Sequence, residues 1–323
     1  MALFGSVIPS DAQGGTTFRN RFINGDMRVW QRGTTFSSIG TNTYSADRWW
    51  SNYGGTAPTF SRSTDAPTGF RYSLSFAGSS TSYHGIGQRI ESINTADLSG
   101  QTVTLSFYAK LSSGTATNGL GISAGYANSV DNFSATTSIV ETNITSTVSG
   151  SWARYSYTFT VPAAAATNGF HVVVFNQSAS QTFTMLITGL QLERGSVATP
   201  FEFRNIGTEL LLCQRYFETT SYPNSATNHD ITTTIIGVVL PGGGSTTGFR
   251  YLVAKRAVPT VTMYSRNNVA GRVSRVADGG DVSGGNSVAA NIGSTGVWGV
   301  NLASTQTVGA GMELAWTASA ELT

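Results

Sequence analysis

Four aromatic residues, Tyr44, Trp49, Trp50 and Tyr53, lie close together in the sequence. Flat rings of this kind stack on the apolar C–H face of a sugar, while neighbouring amides and guanidinium groups hydrogen-bond its hydroxyls. Trp49 and Trp50 are adjacent, so on a strand they face opposite ways and at least one belongs to a core; core packing competes with ligand stacking for the whole cluster. A second group, Tyr83, His84, Gln88 and Arg89, sits in YHGIGQRIE, where Gly85 and Gly87 would let a ligand or a neighbouring strand approach the backbone. The plainer reading of that segment is a strand with a surface histidine and a paired arginine. In NGDMRVW, Asn24, Asp26 and Arg28 share one face of an extended segment, which suits an Asp26–Arg28 ion pair.

Catalytic patterns are missing from the chain. The histidines His84, His171 and His229 stand on dissimilar segments without H-x-x-x-H spacing, and no GxSxG is present. Glycoside hydrolysis needs two carboxylates held a few Å apart. The 17 Asp and Glu residues include no pair in a recognisable setting, so an enzyme is not expected. The single cysteine, Cys213, cannot form an internal disulfide and reads as a small buried hydrophobe in LLLCQRYF.

These residues need a scaffold, and composition narrows it. Of 323 residues, 37 are Gly, 83 are Ser or Thr and only 36 are charged. Long salt-bridged helices are excluded by so few charges, and disorder is excluded by 40% hydrophobic and 11% aromatic content. Basic residues divide into 17 Arg and two Lys (Lys110 and Lys255) without runs. With a net charge of +2, a nucleic-acid partner is not expected. The start, MALFGSVIPS, lacks the pattern of a secretory signal, and no apolar stretch approaches a membrane span. Synthesis in a cytoplasm without a signal peptide is the expectation, with no membrane partner.

Strand-like segments separated by Gly, Ser, Asn and Pro clusters recur along the chain, as in a sandwich or jelly roll. Val103, Leu105, Phe107, Ala109 and Leu111 alternate with Thr104, Ser106, Tyr108 and Lys110, and Ala153, Tyr155, Tyr157, Phe159 and Val161 alternate with polar residues in the same way. HVVVFN (171–176) is apolar on both faces, as in a strand covered on each side or set against a partner subunit. Thr208–Glu218 predicts a short connector helix capped by Thr208. Strands then resume and end in MELAW. The fold class is therefore all-β: an extended N-terminal arm (1–20), a jelly-roll β-sandwich (21–205), and a connector helix with a second, smaller β-sandwich (206–323).

Three stretches, VTLSFYAKLSSG (103–114), GSWARYSYTFTVP (150–162) and FTMLITGLQLERGSVATPFE (183–202), resemble the jelly-roll carbohydrate-binding modules attached to glycan-degrading enzymes. NRFINGDMRVWQRG (20–33) and YSADRWW (44–50) ahead of them, and PFEFRNIGTELLLCQRYFE (200–218) behind, make the whole chain similar to structural proteins of marine and cyanobacterial bacteriophages. That resemblance implies a non-enzymatic virion protein, a tail-fibre or receptor-binding component attaching to host surface glycans. Its competitors are a capsid-decoration, cement or fibre-building protein that recognises no glycan, and, third, a polysaccharide depolymerase. It also implies a virion location, other virion proteins as partners and a homo-oligomer, with a trimer expected. By the same resemblance Gln88, Arg89 and Tyr108 join Trp49, Trp50 and Tyr53 as ligand-binding candidates. No cofactor is expected beyond a structural calcium, for which Asn24 and Asp26 are the candidates.

Overall fold

The computed structural model describes residues 18–80, 82–115, 119–177, 181–220, 235–242, 245–282 and 284–323. Its first unit contains, in chain order, β1 (Thr35–Phe36), β2 (Trp50–Gly54), β3 (Thr59–Ser63), β4 (Ser73–Ser80), β5 (Tyr83–Ile90), β6 (Thr102–Gly114), β7 (Leu120–Ser129), β8 (Asn132–Thr145) and β9 (Ala153–Thr160). A one-turn helix, α1 (Ala163–Asn168), leads into β10 (Phe170–Asn176) and β11 (Gln181–Arg194). Two antiparallel sheets result, ordered β1-β3-β4-β11-β6-β9 and β2-β5-β10-β7-β8. The late strands β10 and β11 insert between β5 and β7 and between β4 and β6. Sequence neighbours are thus split between layers, as in a jelly roll.

Alternation explains the layering. Val103, Leu105, Phe107 and Ala109 of β6 are fully buried against Ile86, Ile122, Val172 and Val174 of the other sheet. Thr104 and Ser106, on the opposite face of β6, are also buried, because residues 195–199 lie over them: Thr104 Oγ1 donates to Gly195 O at 2.7 Å. In β9, Phe159 is buried and Tyr155 stacks on Phe107 at 5.8 Å, while Arg154, Ser156, Thr158 and Thr160 are exposed. HVVVFN is the middle strand of the five-stranded sheet. Val172 and Val174 enter the core, and Val173 and Phe175 pack outward with Tyr44 and Trp50, so this chain covers both faces itself.

The connector helix, α2, spans Ile206–Gln214, not Thr208–Glu218. Its cap is Asn205, whose side chain accepts from Gly207 N at 2.9 Å, and Thr208 lies within the first turn. Phe217–Thr219 is instead a strand, β12, paired antiparallel with residues 317–319, and its Glu218 accepts from Lys255 Nζ at 2.5 Å and from Leu252 N at 2.9 Å. Cys213 is fully buried, and burial pushes its thiol well above the ordinary range.

The second unit continues with β13 (Ile235–Val238), β14 (Ser245–Arg250), β15 (Thr260–Tyr264), β16 (Ser274–Arg275), β17 (Val288–Gly293), β18 (Gly296–Asn301) and β19 (Gly311–Ser319). Strand β19 is central, with β12 and β13 along one side and β15 and β16 along the other. Met312, Leu314 and Trp316 face a core shared with the sheet β14-β18-β17, where Phe249 stacks on Trp316 at 4.9 Å.

The two units are bonded together by the phrases NRFINGDMRVWQRG, YSADRWW and PFEFRNIG. Arg32 and Arg48 both pair with Glu321, and Arg48 lies over the Tyr216 ring at 3.4 Å. Glu91 of the sandwich accepts from Arg256 at 2.7 Å and Arg215 at 3.2 Å. Glu209 of α2 accepts from the backbone N of Asn24. Gly25 is required here, since a Cβ on it would stand 2.1 Å from Leu190 O in β11. Residues 1–17 of the expected arm lie outside the described residues; Arg19 and Asn20 do not belong to a free arm, because their backbone amides donate to Glu202 at 3.1 and 3.0 Å.

Candidate functional site

The face of the five-stranded sheet turned away from the core carries an unusual combination of rings and glycines. By register, Trp50 lies beside Gly87, and Phe175 lies between Gly85 and Gly121. The rings occupy the space that side chains would need. A Cβ on Gly87 would stand 2.6 Å from Trp50 Cζ2, and one on Gly121 would stand 2.5 Å from the Phe175 ring. His171 likewise covers Gly125. Burial, with the Arg89 charge nearby, pushes the His171 pKa down to about 4, so this ring is neutral at pH 7.

One end of this face is closed by the chain's own C-terminal residues. Arg89 donates from Nη1 to Leu322 O at 2.6 Å and from Nη2 to Asn42 Oδ1 at 3.0 Å, and its guanidinium stacks over Trp50 at 4.7 Å. The Tyr44 hydroxyl donates to the same carbonyl at 2.7 Å. Leu322 packs with Ala127, Phe133 and Tyr216, and Phe133 N donates to Thr323 O at 3.0 Å.

The other end is open. A groove of about 270 Å³ runs across all five strands there, lined by Asn52, Ser82, Tyr83, Ser123, Glu141, Phe175 and Gln177. Tyr83 is half-buried edge-on to Phe175 at 6.2 Å, and its hydroxyl donates to Asn52 Oδ1 at 3.3 Å. Desolvation and the nearby Glu141 charge raise the Tyr83 pKa, keeping the phenol a neutral donor. An aromatic wall beside an amide, a hydroxyl and a carboxylate can stack on a sugar ring and hydrogen-bond its hydroxyls. Glu141 is the one carboxylate in the lining, whereas glycoside hydrolysis uses a pair.

Most residues singled out from the sequence stand elsewhere. Trp49 is 1% exposed; its indole N–H donates to Asn24 O at 2.8 Å and its ring packs edge-on against Phe22, so it is core. Trp50 is also buried, under Arg89 and against Val173, and Arg89 itself is spent on the C-terminal residues. Gln88 points inward, where it accepts from Ile23 N and donates to Ile23 O, both at 2.8 Å. Tyr108 belongs to the other sheet and packs on Phe70 at 5.4 Å. Tyr53, partly buried, meets His84 edge-on at 6.2 Å. His84 is a buried residue rather than a surface one, with Nε2 2.9 Å from Thr56 O, and desolvation lowers its pKa. His171 and His84 are on opposite faces of adjacent strands, and His229 lies outside the described residues. Of the sequence-stated candidates, Tyr83 alone reaches the groove. Asn52, Ser123 and Glu141 had no local signal, because the register of five strands brings them together.

Asn24 and Asp26 do not fit a calcium site. The Asn24 carboxamide donates to Val29 O at 2.8 Å and Asp47 O at 3.0 Å and accepts from Val29 N at 2.9 Å. The Asp26 carboxylate is paired with Arg28, as its spacing suggested, and burial still raises its pKa. Among the described residues no three His, Cys, Asp or Glu side chains converge as metal ligands, and no described helix is long and apolar enough to cross a membrane.

Residues 35–181 match the family model of a carbohydrate binding domain. Over that span, less than half of the chain, the sequence is similar to carbohydrate-binding domains. The match stops at the first residue of β11, yet the module cannot close without that strand, which joins β4 to β6. Among solved structures, a candidate sugar binding protein from Bacteroides thetaiotaomicron is 13% identical, with 55% of this chain and 100% of that one covered at a TM-score of 0.41. The CBM22-1 xylan-binding domain of Paenibacillus barcinonensis Xyn10C is 15% identical over 51% of this chain and 94% of its own, at a TM-score of 0.34. The enzymatically active domain of bacteriophage CBA120 tailspike protein 4 is 16% identical over 49% of this chain but only 21% of its own, also at 0.34. Comparison with curated proteins gives no match.

Proposed function

We propose that the protein is a non-enzymatic bacteriophage virion component, a tail-fibre or receptor-binding protein that holds host surface glycans in the groove of its module. The observation that carries the glycan reading is the placement of Tyr83, Asn52, Ser123 and Glu141 around one open groove on the module's five-stranded sheet. The virion reading is supported by the phrases NRFINGDMRVWQRG, YSADRWW and PFEFRNIG, which resemble phage structural proteins; Arg32 and Arg48 of the first two pair with Glu321 of the C-terminal unit. A shallow groove gives weak binding at one site. Several copies in a symmetric oligomer, a trimer in this proposal, would multiply it.

Two measurements test the proposal. A glycan array probed with the oligomeric protein should show retention that Tyr83→Ala removes; no retention on any glycan overturns the glycan reading. Locating the protein in intact particles should find a few copies at the tail. Hundreds of copies on the shell would mean decoration instead, and release of oligosaccharide from a retained glycan would mean depolymerisation.

A further inference from the structure

The C-terminal unit lies outside the matched module and carries an aromatic surface of its own. Trp298, on the middle strand of the sheet β14-β18-β17, is 53% exposed, and the chain's other tryptophans are buried or partly buried. A ring at the centre of a sheet is normally covered by its neighbours, but here the register removes them. Thr247 pairs with Gly299 and Phe249 with Val297, which leaves Gly248 opposite Trp298 on one side. Any side chain at Gly248 would collide with Val297 O, 1.9 Å from its Cβ. The indole Nε1 lies over Gly293, where a Cβ would be 3.6 Å away.

Arg250, two residues beyond Gly248, places its guanidinium over the indole at 4.9 Å and has no carboxylate partner among the described residues. Trp298 and Arg250 border a groove of about 200 Å³ with Gly248, Phe249 and Val297. Stacking orients a guanidinium so that its outer N–H groups stay free in one plane, the geometry that receives a carboxylate through two parallel bonds. The uncovered part of the indole offers an apolar surface for the C–H face of a pyranose.

We propose that Trp298 and Arg250 form a second glycan-contact site, selective for a sugar residue that bears a carboxylate. It uses no residue of the module groove and stands whether or not that groove binds sugar.

The test is an NMR titration of the full chain, following the Trp298 indole N–H, assigned by its loss in Trp298→Phe. D-Glucuronate should move this resonance, D-glucose should move it much less, and acetate, which lacks the ring, should do little. Arg250→Gln should weaken the glucuronate response about tenfold, while Tyr83→Ala should leave it unchanged. The proposal is overturned by no response to glucuronate, by equal responses to glucuronate and glucose, by an acetate response as strong as that to glucuronate, or by an Arg250→Gln protein that titrates like the original. A resonance that moves with protein concentration alone, together with self-association in sedimentation, would assign the surface to a protein contact and also overturn it. Unchanged thermal midpoints for both variants verify that folding is intact.

Discussion

Arg89 of β5 donates to the main-chain carbonyl of Leu322, 233 positions later, across 2.6 Å. This bond divides the outward face of the five-stranded sheet. On one side of it the C-terminal residues, Tyr44 and the Trp50 ring form a closed, buried surface. On the other side the groove around Tyr83 remains open.

The closed half should behave as structure and the open half as a binding surface. Trp49→Ala should cost about 3–5 kcal/mol in chemical denaturation, the usual cost of emptying a buried aromatic site. Tyr83→Ala should cost far less stability and abolish retention on any glycan that the original protein holds. Paired denaturation curves and array measurements on the two variants check this division.

Gly121 supports the Phe175 ring that walls the groove. In Gly121→Ala the new methyl would stand 2.5 Å from that ring. The ring must swing toward the groove, so glycan retention should fall while the protein still folds, as read by circular dichroism and the same array.

Glu321 receives both Arg32 and Arg48 and is buried with Arg48, while Arg32 is partly buried. Removing the carboxylate leaves the buried Arg48 without its counter-charge, while Arg32 keeps Asp47, so Glu321→Ala should destabilise the chain by about 3–5 kcal/mol. Restoring neutrality with a matched apolar replacement at Arg48, Arg48→Met, should recover part of that loss. Denaturation midpoints of the single and double variants give the coupling.

His171 titrates near 4 in the folded chain against an ordinary 6.5. Below pH 6.5 the unfolded chain takes up the proton and the folded chain does not. The stabilisation is therefore complete above pH 6.5 and declines as pH falls toward 4, by up to about 3 kcal/mol. His171→Gln should flatten this part of the stability–pH curve, measured by denaturation between pH 7 and 4.

Period-two alternation was enough to place β6 and β9 as strands and to give their core faces, but not to show that the polar face of β6 is covered as well, since Thr104 and Ser106 are buried under a distant segment. HVVVFN, apolar on both faces, left open whether this chain or a partner subunit covers it; Tyr44 and Trp50 cover its outward face within the chain. The helix after the module begins and ends earlier than its sequence suggests: Thr208 resembles a cap, but Asn205 holds that position, and residues 217–219 leave the helix to pair with the final strand β19. Candidate site residues fared less well. Adjacent tryptophans and a Gln-Arg pair have sugar-binding chemistry in isolation, yet the same stacking and hydrogen-bonding capacity serves a core, and local sequence does not distinguish the two uses.

From its sequence alone this protein was determined to be all-β, sparsely charged and lacking a recognisable catalytic motif, since composition and alternation act residue by residue. Only the tertiary structure decided which aromatic rings face outward and which end of the sheet stays open. Those outcomes depend on the registers of β2, β5, β10, β7 and β8 and on the return of residues 320–323 to Arg89. Register and chain return are long-range contacts: they bring Asn52, Tyr83, Ser123 and Glu141 to one groove from four separate segments, and nothing local in any of the four records the other three.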